Sequence, residues 1–101
     1  MSLGAVISEA RKKANLSQKE LAEAIKKEDG TAISPQYLND IEHDRRNVPS
    51  YLIEQLAKVL RVDRDLLYHG AGTLPADIRD QKASPAQLAS AYKAFRRALR
   101  K

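Results

Sequence analysis

Four residues in the stretch SPQYLNDIEHDRRN, namely Gln36, Tyr37, Asn39 and Asp40, carry groups that can bond to the edge of a base pair. A carboxamide offers a donor and an acceptor side by side, which matches adenine in the major groove, so Gln36 and Asn39 are candidate base readers. Tyr37 can lie on a thymine methyl or reach a phosphate, and Asp40 can accept from a cytosine amine. The last two each have a plainer use, Tyr37 as part of the core and Asp40 as partner of an arginine such as Arg45. Groups suited to phosphate flank the set: Gln18 and Lys19 upstream, Ser34 directly before, and Arg45, Arg46 and Asn47 directly after.

Two short helices must hold those side chains. Asn15 and Leu16 interrupt an earlier helical run that ends in Arg11-Lys12-Lys13, a cluster suited either to phosphate or to the negative end of its own helix. Ser17 and Glu20 have the spacing of a capping box and start a helix at Gln18, with Leu21, Ala22 and Ile25 on one narrow apolar face. Ser34-Pro35 starts another, with proline where its missing amide is harmless. Ile33, Leu38 and Ile41 supply its buried side, and Pro35, Gln36, Tyr37, Asn39 and Asp40 face outward. Farther on, Ser50 is the expected cap of a fourth helix, whose Leu52, Ile53, Leu56, Ala57, Val59 and Leu60 spread a broad apolar face. Asp63 caps a fifth, with Leu66 and Leu67 expected inward, and Gly70 and Gly72 close the domain.

In order along the chain, the LSQKELA opening of the second helix, the ISPQYLNDIE third helix, the RRNVPS loop and the LIEQLAKVLRV fourth helix resemble the lambda-repressor-like, or Xre-type, family of bacterial and phage transcriptional regulators. The resemblance runs from about Leu3 to Leu67 and implies a compact five-helix domain, its third helix in the major groove and its second across the backbone. It also implies that Arg11 and Glu42 form a structural ion pair rather than a DNA contact. The chain departs from the pattern at one place. KKEDGTA separates Ile25 from Ile33, an insertion of about six residues centred on the turn dipeptide Asp29-Gly30. We expect the second helix to gain a turn through Lys27 before the chain loops back, with Lys26 and Lys27 either near a phosphate or in a solvated loop.

The charge is unevenly spread. Residues 1–80 hold 12 Lys or Arg against 13 Asp or Glu, whereas residues 81–101 hold 6 basic residues and no acidic one. The whole excess of +5 therefore sits in the tail. In that tail LPADIRD can form a turn or two of helix after Pro75, and Ser84-Pro85 opens a helix of about 15 residues. Leu88, Ala91, Tyr92, Phe95, Ala98 and Leu99 share one arc of it, and Lys93, Arg96, Arg97 and Arg100 share another. Three uses fit: dimerisation through Leu88, Tyr92, Phe95 and Leu99, packing on its own domain, or binding of an anionic lipid surface or a protein partner. If two such helices dimerise and their basic arcs flank DNA, the tail restores the charge that the domain lacks.

With 101 residues, the chain has room for one helical core and an appendage: a domain over 1–70, a linker with a short helical segment over 71–84, and a basic amphipathic helix over 85–101. The absence of cysteine excludes disulfides and thiolate zinc sites. His43 and His69 belong to no ligand cluster, so neither metal nor cofactor is expected. No apolar run reaches membrane-spanning length. We expect a cytoplasmic, nucleoid-associated protein of bacterial or phage origin.

These features predict an all-α protein in which a five-helix domain with an enlarged turn between helices 2 and 3 is followed by an amphipathic helix. The expected function is sequence-specific regulation of transcription, by repression, with a homodimer reading a palindrome in double-stranded DNA. A protein-interaction module of antitoxin or anti-repressor type is the alternative. An enzyme is disfavoured: the serines serve as caps, and no residue group pairs a nucleophile with a base.

Overall fold

Seven helices follow one another in the computed structural model, which describes residues 1–100: α1 (Leu3–Lys13), α2 (Gln18–Ala24), α3 (Pro35–Glu42), α4 (Ser50–Leu60), α5 (Arg64–Gly70), α6 (Ala76–Arg79) and α7 (Pro85–Leu99). The local signals work as their chemistry predicts. Ser17 and Glu20 form a reciprocal capping box at α2, and the Ser34 hydroxyl accepts from the Tyr37 amide at α3. Ser84 and Gln87 form a second capping box at α7. Three helix ends are closed by polar residues in the left-handed region, Asn15 (φ 60°) after α1, Asp44 (φ 58°) after α3 and Arg61 (φ 56°) after α4. After α3 the Arg45 amide donates to the Asp40 carbonyl and the Asp44 amide to the Ile41 carbonyl, a Schellman closure in which Asp44 takes the place usual for glycine.

Helices α1 to α5 enclose one core, in which Ile7, Leu21, Leu38, Leu56, Leu67 and Tyr68 are fully buried. The α1 and α3 backbones come so close that a Cβ on Gly4 would lie 2.5 Å from the Glu42 carbonyl oxygen, so only glycine fits there. Asp44 reinforces the junction, because its carboxylate accepts from the Gly4 amide at 2.8 Å. Tyr68 donates its hydroxyl to Glu54, which removes the cost of burying it.

Four sequence expectations are corrected. α2 gains no turn: it ends at Ala24, and Ile25 is extended. The insertion instead folds back as a small hairpin, with Lys26 paired to Ala32 across an isolated antiparallel bridge and Gly30 at φ 87° in its turn. Extended geometry buries both Ile25 and Ile33 while satisfying their backbone, since the Ile33 amide donates to the Ile25 carbonyl at 3.0 Å. Second, Ser50 does not cap α4. Pro49 holds the cap position, and the Ser50 hydroxyl accepts from Arg79 instead. Third, Val59 lies at the rim of the α4 arc and is 38% exposed. Fourth, Leu66 is 46% exposed, because the short α5 turns Leu67 and Tyr68 inward and Leu66 away.

A single side chain ties the hairpin to the domain. The Gln55 carboxamide on α4 accepts from the Lys26 amide and donates to the Lys26 carbonyl, both at 2.7 Å, as a neighbouring strand would. Gln55→Ala is expected to cost about 1 kcal/mol locally. Amide hydrogen exchange at Lys26 and Lys27 should then become several-fold faster with little change in the midpoint of global unfolding.

α6 is also held to the domain. Asp77 pairs with Arg64 of α5 at 2.9 Å, and Arg79 donates to Ser50 and Thr73, each at 3.1 Å. α7 is different, for every residue from Gln81 to Arg100 is exposed. Lys101, which ends the predicted tail segment, lies outside the described residues. The radius of gyration, 15.3 Å, exceeds the roughly 13 Å of a compact chain of this length, as a projecting helix requires.

Candidate nucleic-acid interface

The outer face of α3 joins α2 through one amide. Gln18, in the first turn of α2, donates from Nε2 to Asn39 Oδ1 at 3.1 Å and to Glu42 Oε1 at 3.2 Å. Asn39 is thereby held by its oxygen, and its amide nitrogen stays available as a donor. Because a carboxamide oxygen has two lone pairs, Asn39 can keep Gln18 and still accept from a base amine. With both amide hydrogens spent on Asn39 and Glu42, Gln18 fixes the orientation of Asn39, and its predicted phosphate contact requires giving up one of these bonds.

Behind Gln18 lies the buried ion pair. Arg11 donates from Nε to Glu42 Oε2 at 2.7 Å and from a terminal nitrogen to Glu42 Oε1 at 3.0 Å, and it also donates to the Leu16 carbonyl at 2.9 Å. The side chains are 12% and 3% exposed, so the pair belongs to the scaffold between α1 and α3. Burial pushes the Glu42 carboxyl upward, but hydrogen bonds from Arg11, Gln18 and Ser8 outweigh it and hold the carboxyl below its usual range. A carboxyl lowered in the folded state adds stability above its unfolded value, near 4.5, and loses it as pH falls through the folded value. Stability should therefore drop below about pH 4.5, and Glu42→Gln should flatten that drop in urea titrations taken at successive pH values.

A second cluster surrounds Asp40. Gln36 Nε2 donates to Asp40 Oδ1 at 3.1 Å, Arg45 reaches the same oxygen at 3.3 Å, and Arg46 approaches Oδ2 at 3.5 Å. Asp40 is thus engaged by Gln36 and both loop arginines, and it stands as their counterion. The Arg46 guanidinium also lies over the Tyr37 ring, 4.8 Å from its centroid. Tyr37 is half-buried against the core, the plainer of its two expected uses, and covered by Arg46.

The other predicted contacts fall around these two clusters. Ser34 spends its hydroxyl oxygen on the α3 cap, Lys19 is exposed one residue beyond Gln18, and Asn47 is exposed on the loop after α3. Sequence reasoning missed Asp44, whose bond to the Gly4 amide anchors the loop carrying Arg45, Arg46 and Asn47. An acidic residue directly after α3 and no acid in the first turn of α1 were the available signals.

Among the described residues, no group of three or more His, Cys, Asp or Glu is arranged to hold a metal ion. None of their helices is long and apolar enough to cross a membrane.

A helix-turn-helix family profile matches residues 7–67. Among solved structures, that of the clp gene regulator ClgR from Corynebacterium glutamicum superposes with a TM-score of 0.55 at 25% sequence identity, covering 96% of this chain and 85% of that one. The matched length extends past α5 into the tail. No curated protein sequence matches the chain. With more than half its residues inside the family profile and its five-helix core built around α2 and α3, the chain belongs to the helix-turn-helix family of Xre, or lambda-repressor-like, DNA-binding regulators.

Proposed function

We propose that this regulator reads a specific operator by inserting α3 into the major groove and represses transcription by occupying a promoter. The observation that carries the reading is the Gln18–Asn39 hydrogen bond, which fixes a base-reading amide from the neighbouring helix before DNA arrives. Gln36 and Asn39 serve as adenine readers, with Tyr37 beside them. Asp40 reads a cytosine amine only on release from Arg45 and Arg46. Gln18, Lys19, Ser34, Arg45, Arg46 and Asn47 bind phosphate around α3.

The active species in this reading is a cytoplasmic homodimer bound to a palindrome. Leu88, Tyr92, Phe95 and Leu99 follow one another at intervals of four, three and four, the spacing of a coiled-coil seam, and each is 45–68% exposed. A second copy of α7 would cover that seam and double the base pairs read.

Selection of bound duplexes from a random pool, followed by gel shift on the selected sequence, tests the proposal. The expected product is an inverted repeat with a fixed spacing. Arg45→Ala with Arg46→Ala should lower the log-log salt slope by about two per subunit. Truncation after Gly72 should yield monomers in sedimentation. Failure to bind any duplex at low salt, with tight binding to another protein, would favour the interaction module of antitoxin or anti-repressor type.

A further inference from the structure

Four cations run along one side of α7. Lys93, Arg96, Arg97 and Arg100 line a shared surface depression, and none belongs to an ion pair among the described residues. Their spacing of three, one and three residues places them on a single stripe. On a wheel of about 100° per residue, the stripe is centred roughly 120° from the Leu88–Leu99 seam, so closing the seam leaves it open.

The domain itself presents few unopposed cations beside α3. Arg45 and Arg46 share Asp40, Arg11 is consumed by Glu42, and residues 1–80 carry one more acidic than basic residue. Residues 81–101 carry six basic residues and no acidic one. A DNA-binding domain so close to neutrality gains little from counterion release, which otherwise supplies most sequence-independent affinity.

We propose that the Lys93–Arg100 stripe is a second nucleic-acid contact surface, which binds the phosphate backbone of duplex DNA outside the base pairs read by α3. The inference rests on the reading of the protein as a DNA binder. It gives the two parts separate duties: α3 discriminates between sequences, and α7 supplies affinity that no sequence alters. Arg96 and Arg97 lie in the last turn of α7, where the helix dipole favours them, but that effect leaves Lys93 one turn earlier unexplained.

The test uses the full chain with Lys93, Arg96, Arg97 and Arg100 all changed to Gln, a substitution that keeps helix propensity and touches no residue of the core. Binding to the selected duplex and to a scrambled duplex is followed by fluorescence anisotropy across a salt series. Circular dichroism and sedimentation verify that helix content and oligomeric state match the wild type. The variant should lose affinity for both duplexes alike, and its log-log salt slope should fall by about 3.6 per chain. Equivalently, wild type should lose about a hundredfold more affinity than the variant between roughly 50 and 200 mM salt.

An unchanged slope overturns the proposal. If the slope is unchanged and the variant instead loses binding to vesicles of phosphatidylcholine with phosphatidylserine, the stripe serves a lipid surface. Gln36→Ala with Asn39→Ala separates this inference from the reading of α3, because that variant should lose sequence preference and keep the wild-type slope. A preference that survives it, beside a slope that falls in the α7 variant, would overturn the α3 reading alone. Absence of binding to any duplex overturns both.

Discussion

Glu42→Ala is expected to destabilise the domain by about 3 kcal/mol, the largest single loss of any substitution outside the apolar core. The carboxylate accepts two bonds from Arg11 and one from Gln18, and its side chain is 3% exposed. Removing it leaves the Arg11 guanidinium, 12% exposed, without its countercharge. The midpoint of thermal unfolding should fall by about 15 °C for a domain of this size. Replacing both partners with apolar residues, Arg11→Met and Glu42→Leu, should cost far less than either single truncation, because no buried charge is then left alone. A double-mutant cycle on unfolding free energies measures the difference. If Glu42→Ala alone were nearly neutral, the pair would not be holding α1 against α3. The same variant also frees Gln18 from one of its two acceptors, so its DNA-binding loss should exceed what its stability predicts.

Gln36→Ala with Asn39→Ala is expected to remove sequence preference while leaving general DNA affinity. Each bidentate amide contact contributes about 1–3 kcal/mol of discrimination, so the pair should lower the ratio of specific to nonspecific binding by about one and a half to four decades. The salt slope should be unchanged, since neither residue carries charge. Competition between the selected operator and a scrambled duplex reads the ratio directly. Gln18→Ala should give a smaller loss of the same kind, because Asn39 keeps its groups and loses only its fixed orientation. A uniform loss of affinity across sequences would instead make these residues positioning contacts to the backbone.

Helix starts were legible in the sequence because their chemistry is local. Ser17 with Glu20, Ser34 with Pro35, and Ser84 with Pro85 each act within a few residues, and α2, α3 and α7 begin where those signals stand. The Arg11–Glu42 pair spans 31 positions and was legible only through family resemblance. What escaped depends on partners distant in the chain. The hairpin is held by Gln55, which lies 29 positions beyond Lys26. Ser50 looked like a cap because serine before a helix usually is one, but Arg79 reaches it from 29 residues away. Leu66 and Val59 show the weakness of apolar counts on short helices, where the inward arc is set by packing and a neighbouring position points elsewhere. Asp40 was read as either base contact or counterion, and in the unbound protein it is the counterion.

The docked hairpin has a practical consequence. Because Gln55 grips the strand at Lys26 and the Ile25–Ile33 bond closes the base, the separation between α2 and α3 is set below the turn rather than by its length. A Cβ on Gly30 would meet nothing within 4 Å, so the tip borders open space. Extra chain spliced between Asp29 and Gly30 gives up the exposed bonds of the turn, Thr31 to the Asp29 carboxylate and the Gly30 amide to the Lys27 carbonyl, and otherwise adds loop entropy of about 0.6 kcal/mol for each doubling of length. That tip is therefore a port through which a reporter peptide or an affinity handle can be grafted beside α3 without retuning its register.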